Sequence, residues 1–400
     1  RVRLAVQAAR WATALSLLAA CASPSQVEAQ TQDRSQSASQ ATSAGSSACF
    51  SGERLFADVA TYSAFGFKTS GSPADHAVAA WMADHFRGLG ASVRTEHVAA
   101  RQFFPSFTQL NVDGRILDSY PLWFPKATGP EGVAGRLALE GDRAAWPGAV
   151  VLLRQPDREA RAAGAPAPRP LRERLREMAS AGAVAAIVVF PYPAGDWSAS
   201  NTFADTPIPA VVAGDRDHAF LTAAVARGAG ARVVLQGRID PAARIDWVEA
   251  RLPGTTSQAS SDKVIVVSTP LSAFTGAGGE RGPGVALQRA IACWVAQAPR
   301  RHSFVFVAPG GHEIDGAGVR DYLASHAPPV ERVHTWLHLG ASIAVYDWEG
   351  RNETFRMLAK QSDETRLLTN REPVRAQLDQ AFAGFPYRAQ LASTAVGYLG

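Results

Sequence analysis

The feature that most limits the fold lies after Trp247, where short apolar runs and helical stretches alternate. KVIVVST (263–269), SFVFVA (303–308) and VHTWLHLGASIAVY (333–346) read as strands, the last running on into a loop. GVALQRAIACWVAQA (284–298) and GVRDYLASH (318–326) read as the helices between and beside them. Strands alternating with helices predict an α/β fold, a mostly parallel mixed sheet with helices on both faces. In such sheets the ligand crevice lies beyond the carboxyl ends of the strands. The loops after Val267, Ala308 and Leu337 are therefore where chemistry is expected, and His312, Glu313 and His338 are all there.

Upstream, SPADHAVAAWMADHFRGLGASVRTEHV (72–98) reads as a helix, a glycine stop and a strand. Ser72 is the expected N-cap with Pro73 in the first turn, and Ala77, Ala80, Trp81, Ala83 or Asp84, and Phe86 trace the expected, mostly apolar stripe. His76 and His85 on this helix are expected in solvated or capping roles. Between 122 and 242 the texture changes: GAVVLLRQ (148–155), the helix–glycine–strand run 171–190, IPAVVAG (208–214) and ARVVLQG (231–237) predict a smaller mixed unit inserted into the first. Its Asp196-Trp197 and Asn201-Thr202-Phe203 form a polar-aromatic surface loop. A chain of 400 residues, 46% hydrophobic and 19% charged, has the material for two such cores.

The first 21 residues, RVRLAVQAARWATALSLLAAC, have the arginines and short apolar run of an export signal. Leu18-Ala19-Ala20-Cys21 resembles a bacterial lipobox, which makes Cys21 the lipidated residue and the cell envelope the expected location. A cleaved signal ending near Ala29, with release into the periplasm, is the alternative. Residues 22–48 are Ser-, Gln- and Ala-rich and read as a disordered tether. Removing the three arginines of the signal lowers the formal charge from +4 to +1, which excludes the basic footprint of a nucleic-acid binder. The expected membrane contact is the N-terminal lipid alone. Cys49 and Cys293 remain; a bridge between them is left open, and Cys293 in its helix is expected as a small buried hydrophobe.

Several active-site signatures are missing. His312-Glu313 continues as Ile314-Asp315-Gly316, so there is no HExxH. There is no GxSxG elbow, and GAGGERGPG (276–284) lacks the Lys-Ser/Thr of a phosphate loop.

From about residue 52 to 400, the order SGSPADH…LGASV, then VEARLPG, then the strand–loop series resembles the di-zinc exopeptidases of the bacterial aminopeptidase type. The resemblance is to the subset with an inserted protease-associated domain, a layout shared by glutamate carboxypeptidase II and by the transferrin receptor, which lacks peptidase activity. It implies a discontinuous exopeptidase-like domain, 49–121 plus 243–400, and a protease-associated-like insert at 122–242. The family's metal-binding His falls at Thr269 and its following Asp at Leu271. Its bridging Asp falls at Glu280, with Arg281 where Asn is expected. Its Glu-Glu pair falls on His312-Glu313, and its next Asp on His338; its final His has no counterpart.

What the resemblance implies is therefore altered. A di-zinc centre lacks the carboxylates it requires. One zinc on Glu280, Glu313 and His338 is chemically competent, with His312 as proton acceptor and a peptide or small amide as substrate. The alternative is a catalytically inactive, metal-free binding protein in which Arg281 forms an ion-pair cluster with Glu280 and Glu313, Thr269 and Arg281 lining the crevice.

Overall fold

A computed structural model of the chain describes residues 48–156, 169–191, 205–256, 260–340, 343, 346–351, 354–361, 367–369, 372–384 and 389–391. Cys21, the signal and all of the tether but Ala48 lie outside the described residues, as do Asp196, Trp197, Asn201, Thr202 and Phe203. Among the described residues no helix is long and apolar enough to cross a membrane.

In chain order the first elements are α1 (Gly52–Ala64), α2 (Pro73–Gly88), β1 (Ser92–Val112), β2 (Arg115–Leu117), β3 (Ser119–Pro121), β4 (Val133–Leu139) and β5 (Val150–Arg154). Then come α3 (Leu171–Ser180), β6 (Ala185–Val189), β7 (Ala210–Ala213), α4 (His218–Ala226) and β8 (Gly230–Leu252). The last large group is β9 (Ser260–Ser268), α5 (Gly282–Gln297), β10 (His302–Pro309), α6 (Ala317–Ser325) and β11 (Val333–His338). Short elements follow: β12 (Tyr346–Arg351), β13 (Thr354–Gln361), β14 (Leu367–Thr369), α7 (Glu372–Ala381) and β15 (Ala389–Leu391).

The chain divides into two compact units. The first comprises Arg1–Val98, Arg244–Tyr346 and Ala359–Gly400. Its strands run in the order β11-β9-β10-β8; β9 is parallel to both neighbours and β8 is antiparallel to β10. The helices α5 and α6 are the crossovers that parallel pairing requires. Alternation within each strand fills both faces. Val248, Ala250, Val267, Phe306 and Ala308 pack with α1, α2 and α5, while Trp247, Val266, Val305 and Val307 pack with Tyr322 of α6. Burial on both faces explains why these strands read as near-continuous apolar runs. Each large side chain so buried contributes about 1.5–3 kcal/mol.

Ser72 caps α2, its hydroxyl accepting from the Asp75 N–H at 3.2 Å, and Pro73 opens the helix. The stripe that α2 buries is Val78, Ala79, Met82, Ala83 and Phe86, one step away from the expected Ala77–Ala80–Trp81 line. Trp81 stays at the margin because its ring carries the Arg289 guanidinium at 3.8 Å. His85 is also drawn inward instead of being solvated: its Nε2 meets the Arg289 carbonyl at 3.0 Å. Cys293 is more than a small hydrophobe, since it forms a disulfide with Cys49 with Cα atoms 5.9 Å apart.

The second unit comprises Ala99–Ala243 and Asp347–Leu358. β4, β5, β6 and β7 are mutually parallel, β3 is antiparallel to β7, and the opening of β8 is antiparallel to β4. Val151, Leu153, Ala186, Val188 and Val212 form its core with Leu175 and Met178 of α3. The unit starts earlier than the expected residue 122. Residues after 99 are tied to it by the indole of Trp123, which donates to Gln102 Oε1 at 2.7 Å and meets Phe103 edge-on. ARVVLQG proves to be the opening of a strand 23 residues long.

Candidate functional site

The site belongs to the first unit and grows from three strand ends. After β9 the chain stays extended beside β10: Thr269 N–H donates to the Val307 carbonyl at 3.1 Å and Leu271 N–H to the Pro309 carbonyl at 2.9 Å. Thr269 is buried, and its hydroxyl donates to the Leu339 carbonyl at 2.9 Å. Leu271 is fully buried in the core. The loop that follows is pinned from α1. Tyr62 Oη donates to the Leu271 carbonyl at 2.6 Å, and the buried Lys68 ammonium donates to the Gly276 carbonyl at 2.7 Å.

That loop delivers Glu280 and Arg281 to the start of α5. Gly284 in the first turn is required: a Cβ there would lie 2.8 Å from Thr269 Oγ1 and 3.0 Å from the Leu339 oxygen. The helix N-terminus therefore abuts the ends of β9 and β11, with Arg281 as its N-cap residue.

β10 ends at Pro309, and the chain turns through Gly311 at φ 81°, a left-handed conformation that favours glycine, into a single 3-10 turn, His312–Ile314. Ser272 fixes this turn. Its hydroxyl accepts from Gly311 N–H at 2.9 Å and His312 N–H at 3.1 Å, and donates to Glu313 Oε2 at 2.7 Å. Ser70 donates to the same oxygen at 3.3 Å.

Arg281 joins the two acids. Its Nη2 stands 3.3 Å from Glu280 Oε1 and 3.7 Å from Glu313 Oε1. The guanidinium and the Glu313 carboxylate are buried, at 4% and 7% side-chain exposure, whereas Glu280 is half exposed at 51%. Arg281 Nε and Nη1 are buried without a hydrogen-bond partner among the described residues.

The imidazoles complete the site. His338 Nδ1 lies 2.9 Å from Ser268 Oγ, which already receives the Trp336 indole N–H at 2.8 Å. The serine hydrogen is then directed to Nδ1, an assignment from the hydrogen-bond pattern that puts the ring hydrogen on Nε2. His338 Nε2 is itself buried without a partner among the described residues. Burial, then the field of Arg281, pushes His312 down to about 4. Burial, then His312 and Arg281, does the same to His338, again to about 4. These mutual fields bring His312, His338 and Arg281 into one neighbourhood, and both rings are neutral near pH 7. Behind the site, burial and then the nearby Glu313 and Asp246 raise Asp75 to about 8, against the opposing Gly71 N–H bond.

The single-zinc arrangement implied by the resemblance does not suit these residues as placed. The Arg281 guanidinium approaches both carboxylates, and its charge opposes a second cation there. Among the described residues no three His, Cys, Asp or Glu side chains are grouped to hold a metal ion.

Ser70, Ser268, Ser272 and Lys68 organise the site without having been anticipated. Ser272 sits in TPLSAF, just past a strand expected to end at the crevice, and that position is its one sequence signal. Asp321 accepts the Trp247 indole N–H at 2.8 Å.

The fold is similar to that of solved peptidases. Among solved structures, the peptidase M28 precursor of Shewanella amazonensis SB2B aligns with a TM-score of 0.67 at 16% identity, over 88% of this chain and 82% of that one. The zinc aminopeptidase BSAP of Bacillus subtilis gives 0.56 at 17%, over 72% and 68%. The aminopeptidase of Aneurinibacillus sp. strain AM-1 gives 0.51 at 15%, over 72% and 69%. At these identities the likeness is one of fold. No family model matches the chain, and no curated protein matches it in sequence.

Proposed function

We propose that this chain is an exported, envelope-anchored protein that uses a zinc-exopeptidase fold to bind a peptide or small amide without hydrolysing it. The observation that carries the reading is the buried Arg281 guanidinium facing both Glu280 and Glu313. A catalytic zinc needs those carboxylates open and a coordination position for water; here a side-chain cation satisfies them. The crevice beyond β9, β10 and β11 remains the place where a ligand would bind.

The test combines metal analysis of the purified protein, aminopeptidase assays with and without added zinc, and a thermal-shift screen of peptides. A ligand that binds the folded state alone raises the melting temperature, so a peptide-dependent shift without turnover is expected. Stoichiometric zinc, with turnover abolished by Glu313→Ala in a protein that still folds, would establish instead the hydrolase with one zinc on Glu280, Glu313 and His338. Anchoring through Cys21 is tested by fractionating cells that express the wild type or Cys21→Ala. Release of the variant, but not the wild type, from the membrane is the expected result.

A further inference from the structure

The buried guanidinium at the cleft is held loosely for a charged group. Arg281 carries five N–H donors, yet its contacts to acids are the 3.3 Å and 3.7 Å approaches of Nη2. The second is beyond hydrogen-bond length. Nε and Nη1 have no partner among the described residues. Burying donors of a charged group unmade is costly, more so than for a neutral one. Glu313 Oε2 is engaged by Ser272 and Ser70, and its Oε1 faces Nη2 at 3.7 Å. Glu280 is half exposed, so water screens its claim on the guanidinium.

Two further features favour an acceptor of negative charge at this spot. Arg281 caps the N-terminus of a helix of 16 residues, where the backbone dipole presents positive charge. His338 has a second buried, unpartnered nitrogen, Nε2, which carries hydrogen in the tautomer set by Ser268 and Trp336. An arginine and a neighbouring imidazole near a helix start are a donor set for a carboxylate.

We propose that Arg281, with His338 beside it, receives a carboxylate of the bound ligand: the free C-terminus or an acidic side chain of a peptide. This rests on the peptide-binding reading and adds to it the group that is recognised. Arg281 anchors the ligand; Glu280 competes with the ligand for the same guanidinium.

The test uses the full chain and isothermal titration with matched probes. These are an N-acetylated dipeptide with a free C-terminal carboxylate, its C-terminal amide, and the amide of a dipeptide that ends in Glu. At least one acid-bearing probe is expected to bind about tenfold or more tighter than the plain amide, the worth of one charge-assisted hydrogen bond. The free-acid and Glu-amide arms say which source of carboxylate the site takes. Arg281→Gln should remove the preference. Because Arg281 is buried and its variant can fail to fold, a second variant is used: Glu280→Gln, which alters a half-exposed side chain, should strengthen binding of the acid probe several-fold.

Acid and amide probes that bind alike, or acid binding that Glu280→Gln weakens, would overturn the carboxylate assignment and leave the peptide-binding reading standing. Failure of every probe to bind overturns the assignment and removes support from that reading as well. Zinc-dependent cleavage of a probe refutes the reading of the protein as a non-hydrolytic binder, while the acid-to-amide ratio still judges the carboxylate site.

Discussion

Ser272 is a single hydroxyl on which three groups of the site converge, so Ser272→Ala is the most exposing perturbation of the arrangement. The side chain is fully buried. Its hydroxyl donates to the Glu313 carboxylate at 2.7 Å and accepts from Gly311 and His312 N–H at 2.9 and 3.1 Å. The bond to an ionised acid is worth about 1.5–3 kcal/mol, and each buried donor left unmade costs about 1–3 kcal/mol. Relaxation of the 3-10 turn recovers part of that sum, which leaves an expected loss of about 3–5 kcal/mol. Out of a total near 5–15 kcal/mol this is a large fraction. Urea unfolding followed by tryptophan fluorescence measures it, with Trp247 and Trp336 reporting on the unit concerned. Ser70→Ala, which removes a 3.3 Å contact to the same oxygen, should cost distinctly less. A Ser272→Ala loss below about 1 kcal/mol, within the range of an ordinary surface substitution, would show that the latch does not hold the turn.

Three other outcomes follow from the same geometry. The Cys49–Cys293 bridge closes a sequence separation of 244 residues, so reduction should cost up to about 5 kcal/mol by chain entropy; an unchanged urea midpoint in reductant would refute it. Gly284→Ala pushes a methyl group against Thr269 Oγ1 and the Leu339 oxygen and should destabilise by about 1–3 kcal/mol, read as a lowered melting temperature. Stability should also peak near pH 6.5. Burial foremost lowers His85, His312 and His338 each to about 4, so the unfolded chain takes up those protons first and stability falls as pH drops from 6.5 toward 4. Asp75, raised to about 8 by burial foremost, keeps its proton in the folded chain, so its contribution declines as pH rises toward 8; the histidines outweigh it below 6.5 and it dominates above. His85→Asn should make the acid limb shallower and Asp75→Asn should flatten the alkaline one, in urea midpoints taken across that range.

The alternating sheet was legible because both faces of β9 and β10 are buried, which leaves an unbroken apolar signal. The placing of the loops after β9, β10 and β11 at one edge of the sheet follows from the same pattern, since parallel strands deliver their loops to one edge. The extent of β1 and β8 was not: long strands with half-exposed residues, such as β1's Ser92–Val112, lack a sustained apolar pattern. The buried face of α2 was misjudged because Trp81 has the largest side chain yet finds its partner in Arg289 at the margin. The joining of Glu280 to Glu313 through Arg281 was anticipated as an alternative, being adjacent charges on one loop. Ser70 and Ser272 were invisible because a serine earns its role from where its hydroxyl points, which spacing does not encode.

The residues at the positions that the resemblance assigns to metal ligands are built into the packing. Thr269 holds the Leu339 carbonyl and lies against Gly284, where a larger imidazole has no room. Leu271 is fully inside the core that Tyr62, Val285 and Phe306 share, so an Asp there would bury a carboxylate near Asp75 and Glu313. Placing single ligands there therefore meets a structural penalty before it meets a metal. A guanidinium has no open coordination position for water and does not lose its proton in the accessible range, so it cannot supply the nucleophile that a catalytic zinc generates. It can orient and neutralise an anion, which is the physical ground on which peptide binding without hydrolysis is proposed.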